Sequence, residues 1–371
     1  MKVIIAAAGT GGHINPGIAI ADLIKREYPN SDIRFIATGK KLEEDLISKA
    51  GYKSYAIQAY GFSKKISISN LKKNIKTIKG FKEAKKILKE FKPDIVIGTG
   101  GYICGAVITS AHKLGIPTLL HESNAYPGLA IRLLSKTVDT ILVGIEEAKN
   151  NLKRAKRVIY TGTPTKVKPI KLKDKEIEKI KKQEKVNNKL PLVLVFGGSQ
   201  GAQKINECIV DIIKNNMNKD YQIIWATGSE QYDIIKKELN ESNIDIENVN
   251  NAIIKPYIYN MNDIMGISDL VVARSGALTL TELSLLGKAA IFIPLPSSTA
   301  NRQEDNARVF EKRGAAKIIL NNEVTSNNLN NTIEEVVFNK DLLKKMSEAS
   351  KELAVYDVED RILKEIRRLV G

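Results

Sequence analysis

With 371 residues, 43% of them apolar, the chain is too long for one ordinary hydrophobic core and fits two domains of ordinary size. No apolar run approaches the roughly 20 residues of a membrane-spanning helix, and two widely separated cysteines argue against a disulfide framework or a zinc site. The net charge of +16 points to an anionic partner or surface, but no zinc-knuckle, aromatic RNA-binding or helix-turn-helix pattern accompanies it, so we expect no nucleic-acid partner.

The chain opens with a predicted strand over residues 2–8, a glycine-rich turn over 9–17 and a helix over about 18–27. The turn departs from the dinucleotide-binding fingerprint, because Ile14 stands where the third glycine would fall and no acid for a ribose follows the next strand. A dehydrogenase is therefore not expected. His13, inside the turn, could take a proton from a hydroxyl nucleophile; the alternative is that it only hydrogen-bonds the backbone.

A strongly basic segment follows, at residues 62–92. Between residues 60 and 93 there are eleven lysines against two acids, Glu83 and Glu90, with apolar residues interleaved. A basic amphipathic segment is typical of a surface that lies on anionic lipid. The alternative is a solvated helix that covers the sheet and keeps its lysines in water.

The rest of the chain repeats one architectural unit. A buried strand opens onto a second glycine loop at residues 98–105, and a further strand ends in His121-Glu-Ser-Asn, which puts Glu122 and Asn124 at a strand's carboxyl end. The charged stretch 166–189 predicts a linker, after which a strand and a third glycine loop restart the pattern. We therefore predict two α/β domains facing each other across a cleft, at residues 1–164 and 165–351, with a C-terminal helix at about 352–371 packing back on the first.

The most informative stretch is Asp269-Leu-Val-Val-Ala-Arg-Ser-Gly-Ala-Leu-Thr-Leu-Thr-Glu. It predicts a buried strand at 270–273, a Ser-Gly turn, and a helix over 277–286 whose first N–H groups suit a phosphate. Glu282, about two turns into the helix, could accept hydrogen bonds from the two hydroxyls of a ribose, although a solvated helix glutamate is the alternative. Polar residues 301–306 open another helix at the same predicted sheet edge.

Three elements in this order resemble one family: Gly9-Thr-Gly-Gly-His-Ile-Asn-Pro-Gly, Gly197-Gly-Ser-Gln-Gly-Ala, and Arg274-Ser-Gly-Ala-Leu-Thr-Leu-Thr-Glu. It is the UDP-N-acetylglucosamine transferase family that converts lipid I to lipid II in peptidoglycan synthesis, the MurG family. The resemblance runs from the first strand to about Arg308 and implies the two-Rossmann-domain GT-B architecture, with inversion at the anomeric carbon. It also implies a role in cell-wall biogenesis, and hence in cell shape and division, at the cytoplasmic face of the membrane.

The same resemblance implies a donor, an acceptor and a set of site residues. The donor is UDP-N-acetylglucosamine, and the acceptor is the 4-hydroxyl of a polyprenyl-diphosphate-linked muramoyl peptide. His13 matches the position proposed to assist deprotonation of the acceptor, with Glu122 as the rival base. The implied substrate contacts are Thr10, Gly11, Gly12 and Asn124 for the sugar and phosphates, Lys166 and Ser199 for the donor and its diphosphate, the backbone of Ile258 for uracil, Ala277, Leu278, Thr279, Leu280 and Thr281 over the nucleotide, Glu282 for the ribose, and Gln303 for the N-acetylglucosamine hydroxyls.

Two positions depart from the family pattern. The usual His-Glu-Gln-Asn is His121-Glu-Ser-Asn here, and the usual Gly-Asn-Pro-Val-Arg is Gly162-Thr-Pro-Thr-Lys, which loses the bidentate geometry of arginine at Lys166. A diacylglycerol glycosyltransferase is the alternative within the fold, and a sugar-nucleotide epimerase has no reason for the lysine-rich segment. No Asp-x-Asp motif occurs, so we expect neither a bound metal nor a cofactor.

Overall fold

The computed structural model describes residues 1–58, 68–167, 169, 172–198, 201–296 and 301–371, and over residues 68–77 it describes the backbone alone. The chain divides into two compact units, Met1–Lys166 with Val355–Gly371, and Val167–Ala354. Each unit contains one parallel sheet flanked by helices, so the predicted α/β class with two Rossmann-like domains is confirmed. Which unit binds the donor and which the acceptor stays a prediction.

The first unit alternates strands and helices along the chain, as crossover connections in a parallel sheet require. Its elements are β1 (Lys2–Ala7), α1 (Gly11–Glu27), β2 (Asp32–Ala37), α2 (Lys41–Lys49), β3 (Lys53–Ala56), α3 (Ile68–Phe91), β4 (Ile95–Gly100), α4 (Ile103–Lys113), β5 (Thr118–Glu122), α5 (Leu129–Leu134), β6 (Thr140–Val143), a 3-10 helix (Glu146–Asn151) and β7 (Val158–Tyr160).

The second unit follows the same alternation, and the chain then returns to the first unit as a final helix. The elements are α6 (Asp174–Gln183), β8 (Leu192–Phe196), α7 (Gln203–Lys214), β9 (Gln222–Ala226), α8 (Ser229–Glu241), a 3-10 helix (Ile246–Asn248), β10 (Ala252–Lys255), α9 (Met261–Ile267), β11 (Leu270–Ala273), α10 (Ala277–Leu286), β12 (Ala289–Phe292), α11 (Arg302–Lys312), β13 (Ala316–Ile318), α12 (Ser326–Val337), α13 (Lys340–Glu352) and α14 (Val358–Val370).

Strand order explains why the glycine loops fall where they do. The first sheet has the order β3-β2-β1-β4-β5-β6-β7 and the second β10-β9-β8-β11-β12-β13, with parallel pairing throughout. The order reverses between β1 and β4 in the first sheet and between β8 and β11 in the second. Open α/β sheets bind ligands at the carboxyl ends of the strands beside such a reversal. Two glycine loops follow β1 and β8, the third overlaps the end of β4, and the Ser275-Gly276 turn follows β11.

Apolar strands and helix faces form the cores. Both faces of the first sheet are covered, one by α1 and α14 and the other by α3 and α4. The final helix contributes Val358, Ile362 and Ile366 to the core of the first unit, beside residues of α1. Its buried Glu365 accepts two hydrogen bonds from Arg157, at 2.9 and 2.8 Å, which tie the helix to the loop before β7.

Two elements differ from the sequence-based expectation. Helix α1 begins at Gly11, about seven residues before the predicted start, although glycine and Pro16 both disfavour helix. Packing overrides propensity here, because Pro16 is buried and Gly17 allows close contact with Thr99. The predicted linker contains α6.

The basic helix α3 packs its apolar residues inward over residues 81–91. Ala84, Leu88 and Phe91 lie in the core of the first unit, whereas Lys82 and its neighbouring lysines are exposed. Over residues 81–91 the solvated-face alternative therefore accounts for the apolar stripe, but Ile78 is 55% exposed. The remainder of the basic segment, 62–67, lies outside the described residues, as do the side chains of 68–77.

Candidate active site

The first glycine loop holds His13 in the opening turn of α1. Gly9 has φ +105°, a backbone conformation that glycine adopts most readily, and Thr10 then forms the N-cap of the helix. The Thr10 side chain makes no capping hydrogen bond and the first turn carries no acid, so Gly11 and Gly12 present backbone N–H groups at the sheet edge. The Nδ1 atom of His13 lies 3.0 Å from the carbonyl oxygen of Ala8.

That contact defines the tautomer of neutral His13. A carbonyl oxygen can only accept, so Nδ1 carries the proton and donates to Ala8, which leaves the imidazole lone pair on Nε2. The imidazole therefore has the form of a base at Nε2, while Nδ1 serves as its anchor. This is the arrangement that a histidine needs to accept a proton from a hydroxyl.

The second glycine loop seats the His13 ring. A Cβ atom on Gly100 would lie 2.3 Å from Cδ2 of His13, and a Cβ atom on Gly101 would lie 2.5 Å from the Ala8 oxygen. The Thr99 hydroxyl donates to the backbone oxygen of His13 at 2.8 Å. Positions 100 and 101 therefore require glycine, because the His13 ring and the Ala8 oxygen lie where a side chain would begin. The two glycine loops of the first unit thus form one site.

Glu122 is buried at the carboxyl end of β5 and is engaged by neighbouring donors. Its Oε1 accepts from the backbone N–H and the side-chain amide of Asn124, both at 2.9 Å, and its Oε2 accepts from the N–H of Gly128 at 2.8 Å. Gly128 is the N-cap of α5. The carboxylate therefore fixes the turn between β5 and α5 and orients Asn124, which is a positioning role for the residue predicted as the rival base.

The departure at Ser123 has a structural explanation. Ser123 is buried, and its hydroxyl lies 3.3 Å from Nδ1 of His121, whose Nε2 in turn lies 3.2 Å from the carbonyl oxygen of Gly162. Burial lowers the pKa of His121, so the neutral imidazole is favoured. A short serine at this position serves the packing around His121.

Lys166, the last residue of the first unit, is exposed. Its Nζ lies 3.9 Å from a carboxylate oxygen of Asp22, and both side chains are largely in water, so this ion pair contributes little to stability. The predicted donor-binding role of Lys166 stays a prediction.

The second unit contains a cavity of about 420 Å³ at the carboxyl edge of its sheet. Its walls come from the loop after β8, the start of α7, the loops after β11 and β12, and the segment after β13. The lining residues are Gly197, Gly201, Ala202, Gln203, Lys204, Glu207, Arg274, Leu295, Pro296, Gln303 and Asn321.

Arg274 gives this cavity its charge. The residue is only 9% exposed, and its NH1 donates to the carbonyl oxygens of Ile293 and Pro294 and to Oδ1 of Asn321, at 2.8 to 3.2 Å. Within the described part of the chain, its buried Nε–H has no acceptor. Burial lowers the pKa of the Arg274 guanidinium, because the charged form loses hydration that no carboxylate replaces in these hydrogen bonds. An anion in the cavity would supply the missing partner.

Helix α10 begins beside Arg274 and carries most of the predicted nucleotide contacts. It starts at Ala277 after the N-cap residue Gly276, which has no side chain to cap the N–H groups over 277–279, and its first turn carries no acid. The hydroxyl of Thr281 donates back to the carbonyl oxygen of Ala277 at 3.0 Å. Glu282 follows, half-buried in the second turn.

Gln303 lines the same cavity from α11. Its Oε1 accepts from the N–H of Leu295 at 2.9 Å, and its backbone oxygen accepts from the Ser275 hydroxyl at 2.7 Å. The loops after β11 and β12 are thereby linked. Ile258 lies after β10, three strands from β11, and its side chain is buried, which fixes the backbone that the sequence assigned to uracil. Ser199 lies outside the described residues.

The structure thus groups the predicted residues within each unit. In the first unit Thr10, Gly11, Gly12 and His13 share a sheet edge with Glu122 and Asn124, because β1, β4 and β5 are adjacent. In the second unit the loops after adjacent strands β11 and β12 bring Gln303 to the start of α10.

Sequence reasoning assigned no role to several residues of these sites. Arg274 stood inside the most informative stretch, where an arginine directly after a buried apolar strand was the available signal. Lys204 and Asn321 line the cavity from distant parts of the chain and carried no local signal. Glu43 is fully buried and accepts a hydrogen bond from the N–H of Gly9, although its sequence context is that of a helix surface.

The described residues contain no group of three or more histidine, cysteine, aspartate and glutamate side chains placed to hold a metal ion. Among the helices that the structure describes, none is both long enough and apolar enough to cross a bilayer.

Comparison with solved structures identifies the class. The fold matches the crystal structure of Acinetobacter baumannii MurG with a TM-score of 0.77 and 26% identity, over 99% of this chain and 100% of that chain. It also matches Neisseria meningitidis UDP-GlcNAc 2-epimerase bound to UDP-GlcNAc, with a TM-score of 0.65 and 16% identity, over 99% and 100% of the two chains, which shows the shared fold alone. The fold is that of the GT-B glycosyltransferases.

Sequence comparison then identifies the family. Residues 3–143 match the Glycosyltransferase family 28 N-terminal domain and residues 192–362 its C-terminal domain. A Ruminiclostridium cellulolyticum relative is 41% identical and a Bacillus cytotoxicus relative 37%, each over 100% of both chains. The chain therefore belongs to the family of these relatives, the UDP-N-acetylglucosamine–N-acetylmuramyl-(pentapeptide) pyrophosphoryl-undecaprenol N-acetylglucosamine transferases, and is a glycosyltransferase.

Proposed function

We propose that this enzyme transfers N-acetylglucosamine from UDP-N-acetylglucosamine to the 4-hydroxyl of the muramoyl sugar of lipid I and so forms lipid II for peptidoglycan synthesis. Family membership over the full length supports this reaction. It does not favour the alternative, a transferase that acts on diacylglycerol. The reaction is a single in-line displacement of UDP at the anomeric carbon, with inversion.

The observation that carries the donor assignment is the buried guanidinium of Arg274 beside the cavity of the second unit. A buried cation that has no carboxylate partner among the described residues is costly, and the cost falls when an anionic ligand binds. The uncapped start of α10 adds N–H groups and the positive end of its helix dipole. The UDP diphosphate therefore binds at this cavity, and Arg274 with these N–H groups stabilises the charge that develops on it as the bond to the sugar breaks.

The rest of the donor follows the same sheet edge. Glu282 accepts hydrogen bonds from the ribose hydroxyls, the Ile258 backbone reads uracil, and Gln303 reads the sugar hydroxyls. Ser199 and Lys166 complete the diphosphate contacts. Ile258 and the start of α10 follow strands three positions apart, about 14 Å at the usual strand spacing, so this edge suits a long ligand such as a nucleotide sugar.

The acceptor side belongs to the first unit. His13 takes the proton of the 4-hydroxyl on Nε2 while its Nδ1–H stays bonded to Ala8. Asn124, oriented by Glu122, binds the sugar, and Thr10, Gly11 and Gly12 offer their backbone to sugar and phosphate oxygens. Glu122 acts as a positioning residue, because its two oxygens already accept three hydrogen bonds.

The first unit docks on the anionic cytoplasmic leaflet, since the polyprenyl chain of the acceptor stays in the bilayer. Over residues 81–91, α3 presents Lys82, Lys85 and Lys89 to solvent while its apolar residues pack inward, so the attraction there is electrostatic, about 1 kcal/mol per lysine. Two acids of this helix form ion pairs with the lysine four residues before them: Glu83 with Lys79 at 3.8 Å, and Glu90 with Lys86 at 3.9 Å.

Flotation with vesicles tests the docking. Replacing Lys82, Lys85 and Lys89 with glutamate is expected to abolish flotation with phosphatidylglycerol vesicles at low salt and to spare transfer to a short-chain soluble acceptor. The matched control reverses three exposed lysines of the second unit, Lys219, Lys236 and Lys237, and should still float. Equal flotation of both variants and the wild type would show that the lysines of α3 form only a solvated face.

A panel of sugar nucleotides in a thermal-shift assay tests the donor assignment. UDP-N-acetylglucosamine should stabilise the protein more than ADP-sugars, and Glu282→Ala should lose roughly 1–3 kcal/mol of that binding. Glu348→Ala, an exposed glutamate of the same unit, should bind as the wild type does. Equal stabilisation by ADP-sugars would overturn the assignment.

A further inference from the structure

A buried carboxylate lies beneath the first glycine loop. Glu43, in the first turn of α2, is 0% exposed. Its Oε1 accepts from the N–H of Gly9 at 2.7 Å, and its Oε2 accepts from the N–H of Thr38 at 2.7 Å. The Thr38 hydroxyl lies 2.8 Å from both carboxylate oxygens. These partners are all donors, so the geometry suits the ionised carboxylate.

The N–H that Glu43 binds belongs to the same peptide group that anchors His13. The peptide bond between Ala8 and Gly9 donates its N–H to Glu43 and accepts the Nδ1–H of His13 on its carbonyl oxygen, at 3.0 Å. Hydrogen bonds on both sides of one peptide polarise it cooperatively. A carboxylate at the N–H side therefore makes the Ala8 oxygen a stronger acceptor for the imidazole.

We infer that Glu43 is a positioning residue for the transfer reaction, acting on His13 through the Ala8–Gly9 peptide. The carboxylate holds the peptide, the peptide holds Nδ1–H, and Nε2 is thereby presented as the proton acceptor. This resembles the way in which the aspartate of a serine-protease triad orients its histidine, with a peptide group inserted between the two side chains. The catalytic consequence rests on the proposed role of His13 as the base.

The opposite loop closely approaches both ends of this chain of hydrogen bonds. A Cβ atom on Gly100 would lie 2.3 Å from the His13 ring and one on Gly101 would lie 2.5 Å from the Ala8 oxygen, so the imidazole and the peptide have little free space around them on that side. A glutamine at position 43 could still accept from Gly9, but its amide nitrogen would face the Thr38 N–H, donor against donor. Replacing the Glu43 carboxylate by an amide thus weakens the hydrogen bonds that link Glu43 through the Ala8–Gly9 peptide to His13.

Nitrogen NMR of the imidazole side chains tests the inference directly. The chain has three histidines, so the His13 signals can be assigned by comparison with His13→Ala. Wild-type neutral His13 is expected to be predominantly the Nδ1–H tautomer, and Glu43→Gln to raise its Nε2–H fraction. The kcat of Glu43→Gln should fall about 10- to 100-fold, the effect known for removing a group that orients a metal-binding histidine, with the KM for UDP-N-acetylglucosamine unchanged.

Two further variants separate orientation from stability. Glu44→Gln removes the same charge from the next, exposed residue of α2 and should change neither the tautomer nor kcat. Glu43→Asp keeps the charge but is one methylene shorter, so an intermediate kcat is expected, and it replaces Glu43→Gln if that variant does not fold.

The inference is overturned if wild-type His13 is mainly the Nε2–H tautomer, or if a folded Glu43→Gln protein keeps both the wild-type tautomer and the wild-type kcat. A purely structural Glu43 would lower the melting temperature without moving the tautomer. If His13→Ala retains kcat, the base assignment fails, whereas the response of the tautomer to Glu43→Gln still stands or falls on its own.

Discussion

The carboxyl edges of the two sheets share a strand order but bury opposite charges. In the first unit the edge contains Glu43 and Glu122, two buried carboxylates that accept hydrogen bonds from the backbone of neighbouring loops. In the second unit the edge contains the buried guanidinium of Arg274 beside a cavity of about 420 Å³. Two domains of the same fold therefore have opposite buried charges at corresponding sheet edges.

The difference suits the two tasks of the proposed displacement, which are proton removal from the acceptor and stabilisation of the leaving diphosphate. Carboxylates that bind loop N–H groups lock the first edge, which suits the orientation of a base and the binding of a neutral sugar. At the second edge, the Nε–H of the Arg274 guanidinium lacks an acceptor within the described residues. A bound diphosphate would supply both an acceptor and the opposite charge. In the proposed mechanism, proton removal and leaving-group stabilisation therefore fall to different units.

The largest expected effect comes from Gly100→Ala. The added Cβ would lie 2.3 Å from the His13 ring, so the imidazole must move from the Ala8 oxygen. We expect kcat to fall about 10²- to 10⁴-fold, as expected for His13→Ala, with UDP affinity nearly intact. Steady-state kinetics and calorimetric titration with UDP measure the two quantities.

A matched control is Gly115, which like Gly100 has a positive φ, +70° against +135°. Gly115→Ala adds the same methyl group where, beyond its chain neighbours, no heavy atom of the described residues lies within 4 Å, and should retain the wild-type kcat. If a folded Gly100→Ala protein turns over normally, catalysis does not depend on the position of the His13 ring. The base assignment would then move to Glu122 or to water.

A smaller effect is expected in the second unit from Arg274→Lys. Lysine keeps a positive charge but lacks the Nε–H and the planar fork that also binds Ile293 and Asn321. The Kd for UDP should rise about 10-fold, corresponding to roughly 1.4 kcal/mol. Arg313→Lys, at an exposed position after α11, should leave the Kd unchanged. If both variants bind UDP equally well, the cation is structural.

The smallest effect concerns Glu365, a buried carboxylate of the first unit that lies in α14. Hydrogen bonds from Arg157 lower its pKa, so its stabilising contribution is present above the unfolded-state pKa near 4.5 and is lost as the pH falls through the lower folded-state value. Because both arginine partners are about 40% exposed, Glu365→Gln should cost about 1 kcal/mol at pH 7.

Denaturant unfolding at pH 7 and at pH 3 measures this contribution. The difference between wild type and Glu365→Gln should shrink at pH 3, and kcat at pH 7 should stay unchanged. A difference that grows in acid would contradict the assigned sign, and a loss of kcat would mean that α14 affects the site.

Much of the fold was predictable because its signals are local. The strand Leu270–Ala273 and the helix Ala277–Leu286 have the predicted bounds, since an apolar run, a Ser-Gly turn and helix formers determine them within one stretch. The start of α1 was predicted wrongly, because contacts with Thr99 on a distant strand compensate for glycine and proline in the helix.

The chemistry of the sites was less predictable, because it depends on burial. Glu43 and Arg274 are ordinary charged residues in the sequence, and their importance comes from exposures of 0% and 9%. The pairing of Gly100 with the His13 ring joins residues far apart in the chain. The basic stripe of α3 was visible in the sequence, but only packing shows that its apolar residues over 81–91 face the core.

A transfer assay tests the central claim most directly. The protein would be incubated with labelled UDP-N-acetylglucosamine and a short-chain lipid I analogue, and the products separated and their anomeric linkage determined by NMR. The account predicts a β-linked N-acetylglucosamine on the muramoyl 4-hydroxyl with stoichiometric release of UDP. Epimerised nucleotide sugar, transfer to diacylglycerol instead, or no turnover by folded protein that binds UDP would contradict it.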